Sequence, residues 1–179
     1  MKEYILMPNH QSYLDVLLIG TYSSSAFVAK KEIMNWPITR VILDICKLIT
    51  VDRKDIRSLN ETMMNIKKSI ENKIPVTVFP EGTTHKGPGT LPFKKGSFKI
   101  ATEIGVPIIP CVINYFNSGN KWKSSEPIII HFFRQMWRPF QIVELKFFDP
   151  MISDDYLKLR NEVYMKINNQ LINKKGNSY

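Results

Sequence analysis

Residues 4–15 read Tyr-Ile-Leu-Met-Pro-Asn-His-Gln-Ser-Tyr-Leu-Asp and combine three local signals. The apolar run Tyr4–Met7 predicts a short buried strand, and the Pro-Asn pair after it is typical of the loop that ends one. Ser12 followed three residues later by Asp15 is typical of a helix N-terminus, and 12–22 has the composition of a helix. The stretch therefore predicts strand, loop and helix, the repeating unit of an α/β domain.

The same alternation continues outward along the chain. Short runs rich in Ile, Val and Phe predict further strands at Ala26–Ala29, Leu48–Val51, Val76–Phe79, Ile108–Ile113, Ile128–Phe133 and Ile142–Phe148. Apolar residues at steps of three and four predict helices at 33–46, 55–72, 96–104 and 154–172. We expect an α/β fold: a single domain with a mixed, mostly parallel sheet of about seven strands covered by helices.

Length and composition fit one domain. The 179 residues are 44% hydrophobic, enough for a substantial core, and we expect the domain to span 1–172 with a polar tail over 173–179. Cys46 and Cys111 lie in apolar surroundings and not in metal-ligand spacing, which predicts buried thiols, a reducing compartment and no metal site. Without a signal-peptide pattern or a long apolar run, the sequence predicts a soluble or peripheral protein.

The charge balance is strongly basic. Lys and Arg number 25 against 16 Asp and Glu, a formal net charge of +9. Such a surface attracts nucleic acid, anionic lipid headgroups or phosphorylated substrates, and charge alone does not choose among them.

His10 and Asp15 are the first candidates for chemistry. A carboxylate on one imidazole nitrogen fixes the tautomer and leaves the other nitrogen to take a proton from a hydroxyl. No serine nucleophile is needed if the substrate supplies the alcohol. The alternative is structural, because Asp15 also suits the capping of helix amides, and the two roles are compatible.

A second loop is predicted after the strand at Val76–Phe79. It reads Phe-Pro-Glu-Gly-Thr over Phe79–Thr83, where Pro80 ends the strand and Gly82 permits a tight turn. A stretch rich in Gly, Pro and Lys follows, and Arg53 after another strand has a guanidinium suited to phosphate. The alternatives are an ordinary turn and solvated surface charges.

Four motifs then follow one another along the chain: Asn9-His10-x4-Asp15, Val51-Asp52-Arg53, Phe79–Thr83 and Val106–Pro110. Together they resemble the 1-acylglycerol-3-phosphate acyltransferases, the PlsC-like glycerolipid acyltransferase family, over roughly residues 5–115. The resemblance implies a glycerol-3-phosphate acyltransferase-like fold. It also implies an O-acyltransferase that moves a fatty-acyl chain to the hydroxyl of 1-acylglycerol-3-phosphate, giving phosphatidic acid in phospholipid biosynthesis.

The resemblance also implies roles for individual residues. His10 is expected to be the general base and Asp15 its orienting partner. The expected substrate-binding residues are Arg53, Glu81, Gly82, Thr83, Lys94 and Lys95. Family members often have Arg where this chain has Thr84, so Lys86, Lys94 and Lys95 are candidates to supply the missing phosphate contact.

Partners follow from the same resemblance. The donor is expected to be acyl-CoA or acyl-carrier protein as a co-substrate, with no cofactor and no metal, and the acceptor lysophosphatidic acid or a related lipid. The expected location is peripheral, at an anionic membrane surface on its cytoplasmic face. Family members usually carry an N-terminal membrane-associated segment. No such pattern opens this sequence, so we expect either that the segment precedes residue 1 or that the protein docks by its surface. The aromatic and basic residues of 132–140 and 33–48 are candidates for membrane contact.

Other functions remain open. The acceptor could instead be glycerol-3-phosphate, a lysophospholipid or an aminoacyl lipid, or the chain could be a non-catalytic lipid-binding relative. A nucleic-acid-binding domain would need basic residues interleaved with exposed aromatics on one face. The Lys residues are scattered and that function leaves His10 and Asp15 unexplained, so we expect no nucleic-acid partner.

Overall fold

A computed structural model describes residues 3–35, 47–52, 55–117, 119, 121–122, 125–137 and 142–173. Its strands are β1 Ile5–Pro8, β2 Ala26–Lys30, β3 Lys47–Val51, β4 Val76–Thr77, β5 Ile108–Tyr115 and β6 Val143–Phe147. Its α-helices are α1 Leu14–Tyr22, α2 Ile56–Glu71, α3 Gly96–Ile104, α4 Ile128–Met136 and α5 Tyr156–Asn173, and a 3-10 helix covers Lys31–Asn35.

The strands form one sheet in the order β3-β2-β4-β1-β5-β6. Every neighbouring pair is parallel except β5 and β6, which are antiparallel. The expected α/β class with a mixed, mostly parallel sheet is therefore confirmed. Because β1, β2 and β4 are parallel neighbours, the loops that follow them meet at one edge of the sheet.

The predicted strand at Ile128–Phe133 is wrong. This segment lies in α4, so the described residues form six strands rather than about seven. His131 and Gln135, four residues apart, are buried, whereas Ile129 and Ile130 are exposed; a strand would bury alternate residues. The sheet position beside β5 is also already taken by β6. A short run of β-branched and aromatic residues does not distinguish strand from helix by period alone.

Most other predicted elements lie where they were expected, with ends shifted by a few residues. The strand predicted at Val76–Phe79 is shorter, because only Val76–Thr77 belongs to the ladder. The helix predicted at 33–46 begins as the 3-10 helix, and its remainder, with Cys46, lies outside the described residues, as do 174–179 of the predicted tail. Within the described ranges, no helix is both long and apolar enough to cross a bilayer.

Two apolar cores lie on opposite faces of the sheet. Ile108 and Val112 of β5 pack into the core that includes residues of α2, α3 and α5. Ile109, Cys111 and Ile113 point the other way, into the core that α1 covers. This alternation follows the period of two that a strand imposes on its side chains. The candidate site lies on the α1 side, where Phe79 and Phe27 belong to the same core.

Candidate active site

The loop after β1 is tied to β5 by the side chain of Asn9. Its amide nitrogen donates to the backbone oxygen of Ile113 at 2.9 Å, and its amide oxygen accepts from the Ile113 backbone N–H at 2.8 Å. Asn9 is fully buried, so these bonds are not exchanged for bonds to solvent. The loop that carries His10 is therefore held in place by the central strands.

His10 and Asp15 are in direct contact. The Nδ1 atom of His10 lies 2.9 Å from Oδ2 of Asp15, which is fully buried. The same oxygen accepts from the backbone N–H groups of Gln11 at 2.7 Å and Ser12 at 2.9 Å. Asp15 thus contacts the imidazole and also accepts from two backbone amides of the loop that precedes α1. The start of α1 itself, at Tyr13, has no side-chain cap hydrogen bond, so of the two roles that the sequence left open the contacts support the orienting one. Because a carboxylate only accepts, Nδ1 carries the hydrogen and Nε2 is the basic nitrogen.

Tyr115, at the end of β5, completes the surroundings of Asp15. Its hydroxyl donates to Oδ1 at 2.6 Å. Burial, and then the charge of Asp15, raises the pKa of Tyr115 well above its usual value, so the phenol stays neutral and remains a donor. Both carboxylate oxygens of Asp15 therefore have donors, which stabilises its negative charge away from water.

Glu81 contacts the backbone of His10. Its two carboxylate oxygens accept from the backbone N–H of His10 at 2.8 Å and of Leu91 at 3.1 Å. Burial raises the pKa of Glu81, and the hydrogen bonds from Thr90 and from these two amides oppose that rise. The carboxylate thus joins the loop after β1 to the segment that follows the Phe79–Thr83 turn.

Phe79 fixes the plane of the His10 ring. The two rings are stacked, with centroids 4.0 Å apart and an angle of 22° between their planes. With Asp15 at Nδ1, Glu81 at the backbone and Phe79 against the ring face, the imidazole is held from three directions. Such support preorganises a general base.

A cavity of about 290 Å³ opens beside the histidine. Its wall includes His10, Tyr13, Val16, Phe27, Val28, Ala29, Lys30, Glu32, Ile33, Leu48, Phe79, Gly82, Thr83, Thr84 and Trp122. Most of this wall is aliphatic or aromatic, with a single cation and a single carboxylate among the lining residues. An apolar cavity with few polar groups beside a histidine suits a substrate with a long hydrocarbon part.

The predicted substrate-binding residues take different positions. Gly82 and Thr83 line the cavity together with His10. Glu81 is buried, and its carboxylate accepts hydrogen bonds from backbone amides of the loops that form the site. Lys94 and Lys95 are exposed at the start of α3 and are not among the cavity-lining residues. Arg53 lies outside the described residues.

Thr84, the position where an arginine is frequent in the family, also lines the cavity. Its hydroxyl is buried without a hydrogen-bond partner in the described structure. Lys86, one candidate to replace that arginine, pairs with Glu126 at 3.1 Å.

Backbone N–H groups near His10 and Gly82 are the natural candidates to stabilise an oxyanion in acyl transfer. Four of them already donate hydrogen bonds within the protein. The N–H groups of His10, Gln11 and Ser12 donate to Glu81 or Asp15, and that of Gly82 donates to the carbonyl of Phe79 at 3.1 Å. An oxyanion donor therefore has to come from another group of the site.

Two site residues, Tyr115 and Trp122, carry no signal in the sequence and reach the site from β5 and from the loop after it. Lys30, at the end of β2, belongs to the stretch Phe27–Glu32, which also resembles the family. Phe79 does carry a signal in the sequence, because it directly precedes the Pro-Glu-Gly-Thr turn and belongs to that motif. In the described part of the chain, no cluster of three His, Cys, Asp or Glu side chains is arranged to hold a metal ion.

Comparisons with known proteins show which family the chain belongs to. A family model described as Acyltransferase matches residues 1–114. A 1-acyl-sn-glycerol-3-phosphate acyltransferase of Haemophilus influenzae is 32% identical over 130 residues, which are 69% of this chain and 54% of that protein. One of Helicobacter pylori is 34% identical over 121 residues, 64% of this chain and 51% of that protein. The chain thus spans about half the length of these curated relatives.

A solved structure shares the fold. The crystal structure of a 1-acyl-sn-glycerophosphate acyltransferase, PlsC, from Thermotoga maritima superposes with a TM-score of 0.70 at 24% identity. The superposition covers 99% of this chain and 68% of that one. The sheet and helices described above therefore occur together in another protein.

Proposed function

The chain belongs to the acyltransferase family, and from that premise we propose that it transfers a fatty-acyl group from an acyl thioester to the hydroxyl of 1-acylglycerol-3-phosphate. The product would be phosphatidic acid, an intermediate of phospholipid biosynthesis. The observation that carries the proposal is the buried His10–Asp15 pair at the wall of an apolar cavity. The relatives from Haemophilus influenzae and Helicobacter pylori are named for this activity.

The first step is the attack of the acceptor hydroxyl on the thioester carbonyl carbon. Nε2 of His10 takes the hydroxyl proton as the new C–O bond forms, and the carbonyl becomes a tetrahedral oxyanion. Asp15 stabilises the imidazolium that results, since its Oδ2 already accepts from Nδ1 at 2.9 Å. The substrate alcohol is the nucleophile, so the mechanism needs no covalent enzyme intermediate.

The second step is the collapse of the tetrahedral intermediate. The C=O bond re-forms, the C–S bond breaks, and the thiolate leaves with a pKa of about 8.5, taken from cysteine as an analogue. The His10 imidazolium returns its proton to the sulfur, so the neutral base is regenerated. The products are the ester and the free thiol, and atoms and protons balance.

The cavity suits an acyl chain. Phe27, Val28 and Leu48 contribute an aliphatic and aromatic wall on the side of β2 and β3. Each methylene buried there would contribute about 0.8 kcal/mol, which is roughly fourfold in affinity. Binding of the chain would therefore position the reactive groups beside His10, which lowers the entropic part of the barrier.

The phosphate of the acceptor needs cationic partners near the cavity. Lys30 lies in the cavity wall, and Gly82 and Thr83 border it from the second loop. Arg53 remains the residue that the family motif assigns to the phosphate, and Lys94 and Lys95 remain candidates further out. These assignments follow the resemblance and are part of the proposal.

The donor, cofactor and location are proposed on the same basis. Acyl-CoA and acyl-carrier protein both present a thioester next to negative charge, which a net charge of +9 attracts. The chemistry above needs no metal or cofactor. We place the protein peripherally on the cytoplasmic face of an anionic membrane, because its acceptor is a lipid.

One observation favours a second acceptor class. Thr84 stands in the cavity wall where family members often have arginine, and Lys86 nearby is paired with Glu126. The loss of one phosphate contact is compatible with glycerol-3-phosphate, a lysophospholipid or an aminoacyl lipid as acceptor. A non-catalytic lipid-binding role would instead leave the oriented His10–Asp15 pair without a use.

A product assay separates these possibilities. Purified protein is incubated with radiolabelled acyl-CoA and, separately, lysophosphatidic acid, glycerol-3-phosphate or a lysophospholipid, and lipid products are resolved by chromatography. We expect labelled phosphatidic acid from lysophosphatidic acid and none with His10→Ala. A preference for another acceptor would replace the substrate assignment, and a well-folded protein with no product from any acceptor or donor would contradict the proposal.

A further inference from the structure

The outward face of α4 is apolar. Ile129, Ile130 and Phe133 are 49%, 59% and 57% exposed, and Trp137, directly after the helix, is 86% exposed. These are among the largest apolar side chains that the described surface presents to solvent. Single exposed apolar residues are ordinary, but three on one short helix and a fourth directly after it are not.

The two buried residues that the structure describes in α4 are both polar. His131 is fully buried, and its Nδ1 lies 3.2 Å from the hydroxyl of Tyr13. Gln135, one turn later, is also buried and donates from Nε2 to the carbonyl of Gly119 at 2.7 Å. A surface helix of a water-soluble domain normally buries its apolar stripe and exposes its polar one. Among the described side chains of α4, the buried ones are polar and the exposed ones, apart from Arg134, are apolar, which points to apolar surroundings on the outer side.

The helix lies next to the candidate active site. Tyr13 sits between His10 and Asp15 in sequence, lines the cavity, and packs edge-on against the His131 ring at 5.5 Å between centroids. Trp122, also a cavity-lining residue, donates its backbone N–H to the carbonyl of Gln11 at 2.7 Å. Whatever covers α4 is therefore close to the catalytic loop.

Two more exposed apolar residues lie at the same end of the sheet. Phe116 and Ile142 directly flank the final pair of the β5–β6 ladder, Tyr115 with Val143. The carboxyl end of β5 is also the end at which the loop after β1 carries His10, because β1 and β5 are parallel. Exposed apolar side chains and the catalytic loop thus share one edge of the fold.

We propose that α4 and Trp137 form an interfacial helix that inserts into the headgroup region of an anionic lipid bilayer. We infer that a membrane, and not another protein, covers this helix. The chain carries a net charge of +9, and α4 combines its apolar face with Arg134. Aromatic side chains such as Trp137 are enriched at this depth of a bilayer. Arg134 and Lys86 share the single carboxylate of Glu126, which leaves the local surface positive.

This surface would bring the cavity to the lipid acceptor, and to that extent the inference rests on the proposed function. Its test, however, measures membrane binding and does not depend on catalysis. Binding is measured by co-sedimentation with vesicles of phosphatidylglycerol and phosphatidylcholine, and with vesicles of phosphatidylcholine alone. The test variant combines Ile130→Ser, Phe133→Ser and Trp137→Ser, all at exposed positions. The matched control combines Met64→Ser, Met165→Ser and Ile152→Ser, which change comparably exposed apolar residues on α2, on α5 and in the segment between β6 and α5.

We expect the unchanged protein and the control to bind the anionic vesicles, and the test variant to bind about tenfold more weakly or less. Binding of the unchanged protein should weaken as salt is raised. Equal binding by the test variant, or no binding by the unchanged protein, would overturn the proposal. A third outcome would also overturn it: the unchanged protein forms a dimer, and the test variant is monomeric but still binds vesicles. In that case α4 would join two copies of the chain.

A second readout separates this proposal from the enzymatic one. Turnover is compared for an acceptor embedded in anionic vesicles and for a short-chain acceptor dispersed in water. The test variant should lose more turnover on vesicles than on the dispersed acceptor. If no acceptor is turned over but vesicle binding still depends on α4, the proposed function fails and the docking surface stands.

Discussion

Tyr115 and Asp15 are 100 positions apart in the chain and meet in a buried hydrogen bond of 2.6 Å between the phenol and the carboxylate. This bond joins the end of β5 to the first turn of α1. It also satisfies the one oxygen of Asp15 that does not face His10, because the other oxygen already accepts from the imidazole and two backbone amides.

Tyr115→Phe should therefore loosen both the fold and the catalytic pair. The change leaves a buried carboxylate oxygen without its donor, which typically costs about 1–3 kcal/mol. We expect a fall of that size in the free energy of unfolding, measured by urea denaturation, and a lower kcat with a smaller change in KM. Tyr22→Phe, at an exposed tyrosine, is the control and should change neither value. Equal stability of the two variants would rule out this role for Tyr115.

Glu81→Gln should uncouple His10 from the turn at Phe79–Thr83. The amide can accept only through its oxygen, so one of the two backbone N–H groups of His10 and Leu91 would face an NH₂ group. We expect a loss of about 1–3 kcal/mol in the free energy of unfolding. kcat should also fall, because the loop is displaced. Glu103→Gln on the surface of α3 provides the same chemical change without buried partners. A fully active, equally stable Glu81→Gln protein would contradict the supporting role.

Arg53→Ala tests the phosphate site that the family motif assigns. A cation that holds the acceptor phosphate in both ground and transition states contributes to binding, so its removal should raise KM for the phosphorylated acceptor with less effect on kcat. KM for the acyl donor should stay close to its original value. Arg160→Ala, on α5, is a suitable control for the loss of one positive charge. An acceptor KM unaffected by Arg53→Ala would remove Arg53 from the site.

Because His131 is buried, we expect the free energy of unfolding to depend on pH. Burial lowers the pKa of His131 in the folded protein, so the folded state binds fewer protons than the unfolded state below the ordinary histidine pKa of about 6.5. The stabilising effect of a neutral His131 is therefore present above that pH and is lost as the pH falls towards the lowered value. Urea denaturation at a series of pH values should show stability decreasing on acidification, and less steeply for His131→Asn. An identical slope in that variant would show that other groups determine the dependence.

The local part of the site could be predicted from sequence, and the distant part could not. His10 and Asp15 are five residues apart, so a strand, a loop and a helix start suffice to bring them together. Tyr115 reaches the same carboxylate only through the pairing of β1 with β5, which no short-range pattern encodes. Phe79 could be located because it adjoins a recognisable turn.

One expectation failed for a physical reason, and the structure adds detail to another. The Ile128–Phe133 run has strand-like composition, but it forms a helix because His131 and Gln135 have polar partners one turn apart and β6 occupies the sheet edge. Glu81 stays a predicted substrate-binding residue. Its carboxylate turns inward and accepts backbone amides, so its contribution to the acceptor site would come through the loops that it holds. The direction of a side chain at a turn depends on tertiary partners that the sequence does not display.

In the proposed mechanism, Nε2 of His10 removes the proton of the acceptor hydroxyl. This step is tested by the rate of thiol release from acyl-CoA with saturating lysophosphatidic acid, for the unchanged protein and for His10→Ala. We expect that His10→Ala retains its fold by circular dichroism and loses activity by about a hundredfold to ten-thousandfold, the usual contribution of a general base. A folded His10→Ala protein that releases thiol at a near-normal rate would contradict it.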